Sequence, residues 1–211
     1  MINDHPIFLE SIKFIKSKLT KNNFNCIETK VLERLIHTSG DFQIQELLEF
    51  SENVCERTLE SLRLGAPILT DTDMAAAAIK TMANKCHGNS VFSAKKWVVD
   101  NLEITGTNTA YGIEHAWSDL SKKYFGKISP IVVFGSSPTA LEKLLDILEG
   151  CDNKPSLIIG MPVGFIGVEK SKKRLLETEL PYVVMGSTRG GAAMAGATIN
   201  ALLRESTQLN Y

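Results

Sequence analysis

From Gly65 onward the chain alternates short apolar runs with amphipathic segments, and this alternation constrains the fold more than any other feature. The runs at 66–69, 90–93, 131–134, 156–159 and 181–185 read as strands. The segments at 73–82, 111–122, 169–177 and 191–203 read as helices, as does the one opening at Pro138 with Leu141, Leu144, Leu145 and Leu148 on one face. Strands that alternate with helices imply right-handed crossovers and a parallel sheet covered on both sides. Ahead of this region, Phe8, Ile12, Ile15 and Leu19 fall on one helix face, and Ile27, Val31 and Leu35 on another. Lys21 to Asn25 is a polar break, Gly40 a stop signal, and Ser51 a candidate cap for a third helix carrying Cys55, Leu59 and Leu62. The expected architecture is one α/β domain over 1–211: a mostly parallel central sheet flanked by helices. Within it a helical N-terminal portion, 1–64, packs on the sheet portion, 65–211.

Composition narrows the function classes. The chain has 211 residues, 44% of them apolar, which suits one globular domain and excludes disorder. With 23 basic and 24 acidic residues the net charge is −1, so the broad positive field of a nucleic-acid binder is missing. The same balance leaves no polybasic membrane signal, and the longest apolar stretch, 156–168, is too short and glycine-broken to span a bilayer. Cys26, Cys55, Cys86 and Cys151 are widely spaced, with no close pair to start a zinc site. The N-terminus lacks the basic-then-apolar pattern of a signal peptide. A cytoplasmic protein with reduced thiols and no bound metal is expected.

In open parallel sheets ligands bind beyond the carboxyl ends of the strands. The turns there are Thr70-Asp71-Thr72-Asp73, Gly135-Ser136-Ser137-Pro138-Thr139, Gly160-Met161-Pro162-Val163-Gly164 and Gly186-Ser187-Thr188-Arg189-Gly190-Gly191. Glycines let a ligand approach the backbone, and helix starts offer N–H groups to anions. Neither GxGxxG nor a P-loop is present, so a nucleotide is not declared, although the turn at Gly135 leaves a phosphate or carboxylate open. Asp71 and Asp73 fit capping of the next helix better than a metal. Arg189 beside small residues fits either a carboxylate clamp or close helix packing. Lys170 to Arg174 reads as a solvated charged face. Of the four histidines, His5, His87 and His115 read as surface or packing residues. His37 ends an apolar helical run, where the helix dipole favours the protonated form; a capping role and a general acid both fit that place.

Six segments in order then carry a family likeness. They are Arg34-Leu35-Ile36-His37-Thr38-Ser39-Gly40-Asp41; Gly65-Ala66-Pro67-Ile68-Leu69-Thr70-Asp71 with Met74; Ser137-Pro138-Thr139-Ala140-Leu141; Ile159-Gly160-Met161-Pro162-Val163-Gly164-Phe165-Ile166-Gly167; Glu169 to Lys172; and Pro181-Tyr182 followed by Arg189-Gly190-Gly191. The series resembles precorrin-8X methylmutase (precorrin isomerase) of cobalamin biosynthesis over nearly the whole chain. The resemblance implies migration of a methyl group from C11 to C12 of precorrin-8X or cobalt-precorrin-8, giving hydrogenobyrinate or cobyrinate without a cofactor. It implies His37 as proton or hydrogen-bond donor. It also implies a tetrapyrrole polycarboxylate site drawing on Ser11, Thr38, Ser39, Gly40, Thr70, Asp71, Met74, Asn108, Gly135, Ser136, Ser137, Thr139, Met161, Gly164, Arg189, Gly190 and Gly191, near the interface of a homodimer. Two positions depart from the family's pattern. Asn108 stands where an arginine is usual and Thr188 where a second basic residue is common, and each lost charged hydrogen bond removes about 1.5–3 kcal/mol of anchoring. A diverged tetrapyrrole-binding protein that keeps the fold is the alternative these departures motivate. A phosphate-binding α/β protein is a third.

Overall fold

The structure is a computed structural model and describes residues 5–20, 23–99, 106–124 and 126–208. Residues 1–4, and Lys21 and Asn22 of the polar break, lie outside the described residues. The chain opens with α1 (Pro6–Lys18) and α2 (Cys26–Ser39). His5 caps α1, its Nδ1 accepting from the Ile7 N–H. In α2, Asn25 and Glu28 form a reciprocal capping box that satisfies free N–H groups at the start, and Gly40 closes the end in a left-handed conformation. The helix runs to Ser39, up to the Gly40 stop signal, so His37 sits inside its last turn.

The N-terminal portion is not all helical. Between α2 and α3 (Val54–Arg63) lies a strand, β1 (Leu48–Phe50), which pairs antiparallel with the last strand of the sheet. Three residues with one charge in the middle carry too little pattern to declare a strand, and the pairing partner lies far along the chain. Ser51 does not cap α3: Asn53 holds that place with a left-handed backbone, while the Ser51 hydroxyl accepts from the Tyr182 N–H.

The remaining elements are β2 (Ile68–Thr70), α4 (Asp73–Cys86), β3 (Val91–Ser93), α5 (Asn108–Lys123), β4 (Ile131–Phe134), α6 (Pro138–Leu148), β5 (Leu157–Gly160), α7 (Val168–Leu176), β6 (Tyr182–Met185) and α8 (Ala192–Gln208). They build a six-stranded sheet in the order β1-β6-β5-β4-β2-β3, parallel throughout except for β1. The central strands are buried on both faces, and their residues alternate between two cores. Ile131, Val133, Leu157, Ile159, Val183 and Met185 face a core shared with α1, α2, α3, α4 and α8. Val132, Phe134, Ile158 and Val184 face a second core with α5, α6 and α7. The small residues of α8 serve packing: a Cβ at Gly196 would lie 2.7 Å from the Ala78 Cβ on α4.

The charged run on α7 is not a uniformly solvated face. Lys172 is only 2% exposed, and Arg174 forms ion pairs with Glu142, Asp146 and Glu149. The four cysteines are free thiols. Among the described residues no helix is long and apolar enough to cross a membrane, and no group of three or more His, Cys, Asp or Glu gathers to hold a metal ion.

Candidate active site

Chain order reverses at β2. The chain passes from β2 to β3 on one side, then returns across β2 to β4 on the other, so the carboxyl ends of β2 and β4 flank the switch point where α/β sheets commonly bind ligands. Here that crevice is filled from within. Asp71, 1% exposed, accepts hydrogen bonds from the N–H groups of Gly135, Ser136 and Ser137 at 3.1, 2.7 and 2.9 Å. The donors expected to await an external anion at this turn are therefore taken by an internal carboxylate. Burial pushes the Asp71 carboxyl up from its ordinary range, and the three N–H groups and the Thr72 hydroxyl pull it back down. Thr72, and neither Asp71 nor Asp73, caps α4.

Around this buried bridge the turns interlock. Gly135 packs so closely on α8 that a Cβ there would lie 2.6 Å from the Ala192 Cα. Ser137 caps α6, and its hydroxyl lies 3.0 Å from that of Thr139 and 2.7 Å from that of Thr109. Thr107, the cap of α5, closes a ring of four hydroxyls with Thr139 and Thr109 at 2.7 and 3.2 Å. Asn108 opens α5 beside this ring. Asn108, Thr109, Asp71, Thr72, Asp73, Met74, Lys95 and Val98 line a cavity of about 360 Å³.

The next two turns are joined by backbone. The Gly164 N–H donates to the Thr188 carbonyl at 3.1 Å, and the Gly191 N–H to the Met161 carbonyl at 2.8 Å. Gly190, at φ 150°, sits where a Cβ would lie 2.1 Å from that same Met161 oxygen, so only glycine fits. Arg189 reaches from this loop to the segment after α2, pairing with Asp41 and donating to Gln43 Oε1 at 2.8 Å. Its charge is thus already answered inside the chain.

At the end of α2, the His37 Nδ1 lies 2.9 Å from the Ser11 hydroxyl of α1. The Phe8 ring meets the imidazole edge-on at 5.0 Å. The His37 side chain remains exposed, which leaves Nε2 as the nitrogen available to a ligand. Its pKa is lowered, opposite to the expectation from the helix dipole. Partial burial opposes the charged form, and the neighbouring Arg34 guanidinium repels it. The neutral imidazole therefore prevails at pH 7.

Not every anticipated residue offers a surface. Thr70 and Met161 are wholly buried; the Thr70 hydroxyl donates to the Thr72 carbonyl, and the Met161 sulfur receives the Thr198 hydroxyl. Thr38 and Ser39 bond back to the carbonyls of Arg34 and Leu35 in their own helix. Apolar surface along the 161–167 loop comes from Val163, Phe165 and Ile166, the last two 87% and 89% exposed, and Met74 is 70% exposed. Lys172, expected to face solvent, was not singled out in the sequence; its signal is a lysine at a position in α7 that the helical period turns inward beside Val168 and Leu175.

Fold and edge together define an open α/β protein with glycine- and hydroxyl-rich turns at the carboxyl ends of its strands and an exposed histidine at the end of α2. The chain belongs to the precorrin-8X methylmutase family, whose model matches residues 6–205. It is 32% identical to the precorrin-8X methylmutase of Pseudomonas aeruginosa, covering 94% of each chain. It is 30% identical to the cobalt-precorrin-8 methylmutase of Synechocystis sp., covering 95% of each. The crystal structure of precorrin-8X methylmutase from Thermus thermophilus superimposes with a TM-score of 0.86 at 29% identity, over 96% of both chains.

Proposed function

We propose that this protein moves a methyl group from C11 to C12 of precorrin-8X, or of its cobalt-bearing counterpart, with His37 as the donor to the macrocycle. The observation that carries the reading is the Ser11–His37 pair, open at Nε2 and tied through Asp41 and Arg189 to the loop edge. The shift is intramolecular: one carbon–carbon bond breaks, another forms, and no atom leaves the substrate. Such a reaction calls for a ring held in one geometry and a donor placed to favour the new conjugation. With the Ser11 hydroxyl as donor to Nδ1, the proton of the neutral imidazole sits on Nε2, where His37 can give it to the macrocycle.

The exposed Phe165, Ile166, Val163 and Met74 supply apolar contact for a macrocycle face or a second copy of the chain, in keeping with a homodimer whose sites lie near the interface. The acetate and propionate groups meet few free cations. Lys95, beside Asn108 in the cavity and loosely paired with Asp73 at 3.6 Å, stands closest to where the family's arginine is missing. A biosynthetic enzyme of this kind belongs in the cytoplasm.

Incubation with precorrin-8X tests the reading. Wild type is expected to generate the corrin absorption spectrum, and His37→Ala to bind the product without converting substrate. Binding by wild type with no spectral change would favour the diverged, non-catalytic alternative. Light scattering is expected to give twice the chain mass of 23.2 kDa.

A further inference from the structure

Lys172 is the most deeply buried cation described in the molecule, and among the described residues no carboxylate forms an ion pair with it. Its Nζ donates to the Ser187 carbonyl at 2.8 Å and to the Arg189 carbonyl, both in the loop between β6 and α8. That loop needs holding. Ser187 adopts φ 60°, a conformation that costs a non-glycine residue energy, and Gly190 and Gly191 follow at φ 150° and 117°. Its far side presents Arg189 to Asp41, four residues beyond His37. A buried ammonium facing only carbonyl oxygens is costly unless those bonds fix something the fold requires.

We propose that Lys172 is a positioning residue of the active site: it clamps the Ser187–Arg189 backbone so that Arg189 holds the Asp41 segment against the loop edge and Gly190 and Gly191 face the ligand. The clamp acts from behind, through α7, and touches no substrate. Its role in turnover rests on the methylmutase reading above; its role in the loop does not. Burial brings the Lys172 pKa down to about 8, against a smaller opposing pull from Glu169 on the preceding turn of α7. The facing loop contributes the two carbonyls and Arg189, whose guanidinium is turned away to Asp41. Above that pH the amine keeps donors but loses charge assistance, and the grip weakens. Global stability responds with the opposite sign. The unfolded lysine holds its proton to a higher pH than the folded one, so between about 8 and the ordinary value near 10.4 this group adds stability as pH rises.

The test uses the intact protein, Lys172→Met, Arg189→Met and the double variant. Hydrogen exchange of the peptide covering 186–191 is read together with hydrogenobyrinate affinity by absorbance titration. Lys172→Met is expected to speed exchange there at least tenfold and to weaken product binding at least tenfold, with Arg189→Met adding less than twofold on top. In wild type alone, affinity is expected to fall as pH rises through about 8 while the melting temperature does not fall with it. That arm holds even if Lys172→Met fails to fold. Unchanged exchange, losses that simply add, or an affinity flat across that pH range would overturn the proposal. Faster exchange in Lys172→Met, together with a wild type that binds no tetrapyrrole, would uphold the clamp and refute the methylmutase reading instead.

Discussion

Two corners of the loop edge solve opposite problems. At the switch point, Asp71 is buried and held by three backbone N–H groups from another turn. At the end of α2, His37 is exposed and held by one hydroxyl and the edge of one ring. At the first corner the Asp71 carboxylate and its three donors are committed to one another within the chain, so they serve as scaffold. The second keeps a titratable nitrogen open to solvent, so it can do chemistry. The buried acid lies where ligands usually enter an α/β sheet, yet the group that can act on a ligand comes from a helix packed beside the sheet.

If the corners differ in this way, substitutions should separate activity from stability. His37→Ala is expected to lower turnover by about 10²–10⁴-fold, the usual worth of a placed proton donor, with little change in urea midpoint. Asp71→Ala should do the reverse first. It orphans two buried N–H groups and one part-buried one, and is expected to cost about 3 kcal/mol or more in urea unfolding, with activity lost only as the fold is lost. Gly190→Ala lies between the corners. The clash with the Met161 oxygen and the strained φ are expected to cost about 1–3 kcal/mol and to lower product affinity as well. A stable, fully active Gly190→Ala would show that the loop is looser than its contacts indicate.

Smaller effects sharpen the active corner. Ser11→Ala frees Nδ1 and is expected to reduce turnover about tenfold, near the net worth of one hydrogen bond, without a stability change above about 1 kcal/mol. The pH dependence follows from the lowered His37 pKa. With neutral imidazole as donor, turnover should not fall as pH rises above about 6.5, whereas an imidazolium donor would give a rate that falls with rising pH. The folded pKa lies below the unfolded value near 6.5, so on acidification the unfolded chain takes the proton first. Stability should therefore decline as pH drops from about 6.5 to the folded value, and His37→Ala should lessen that decline.

The sheet was legible because its central strands are short continuous apolar runs between helical segments; Ser137 and Pro138 marked the start of α6. β1 was not legible, since a three-residue edge strand is defined by its partner some 130 residues later and not by its own pattern. His37 could be singled out from its place at a helix end, but its pKa direction could not, because Phe8, Ser11 and Arg34 converge on it only in three dimensions. The same holds for Asp71 and Lys172. Local spacing made one a cap and the other a solvated charge, and long-range burial made both into internal braces.

A density map of the protein with hydrogenobyrinate bound tests the division between the corners most directly. The account expects the ring along the loop edge with a polar or ring atom within hydrogen-bond distance of His37 Nε2, and the Asp71 bridge to Gly135, Ser136 and Ser137 intact. A ring seated with His37 out of reach, or an acetate or propionate displacing Asp71 from those N–H groups, would contradict it.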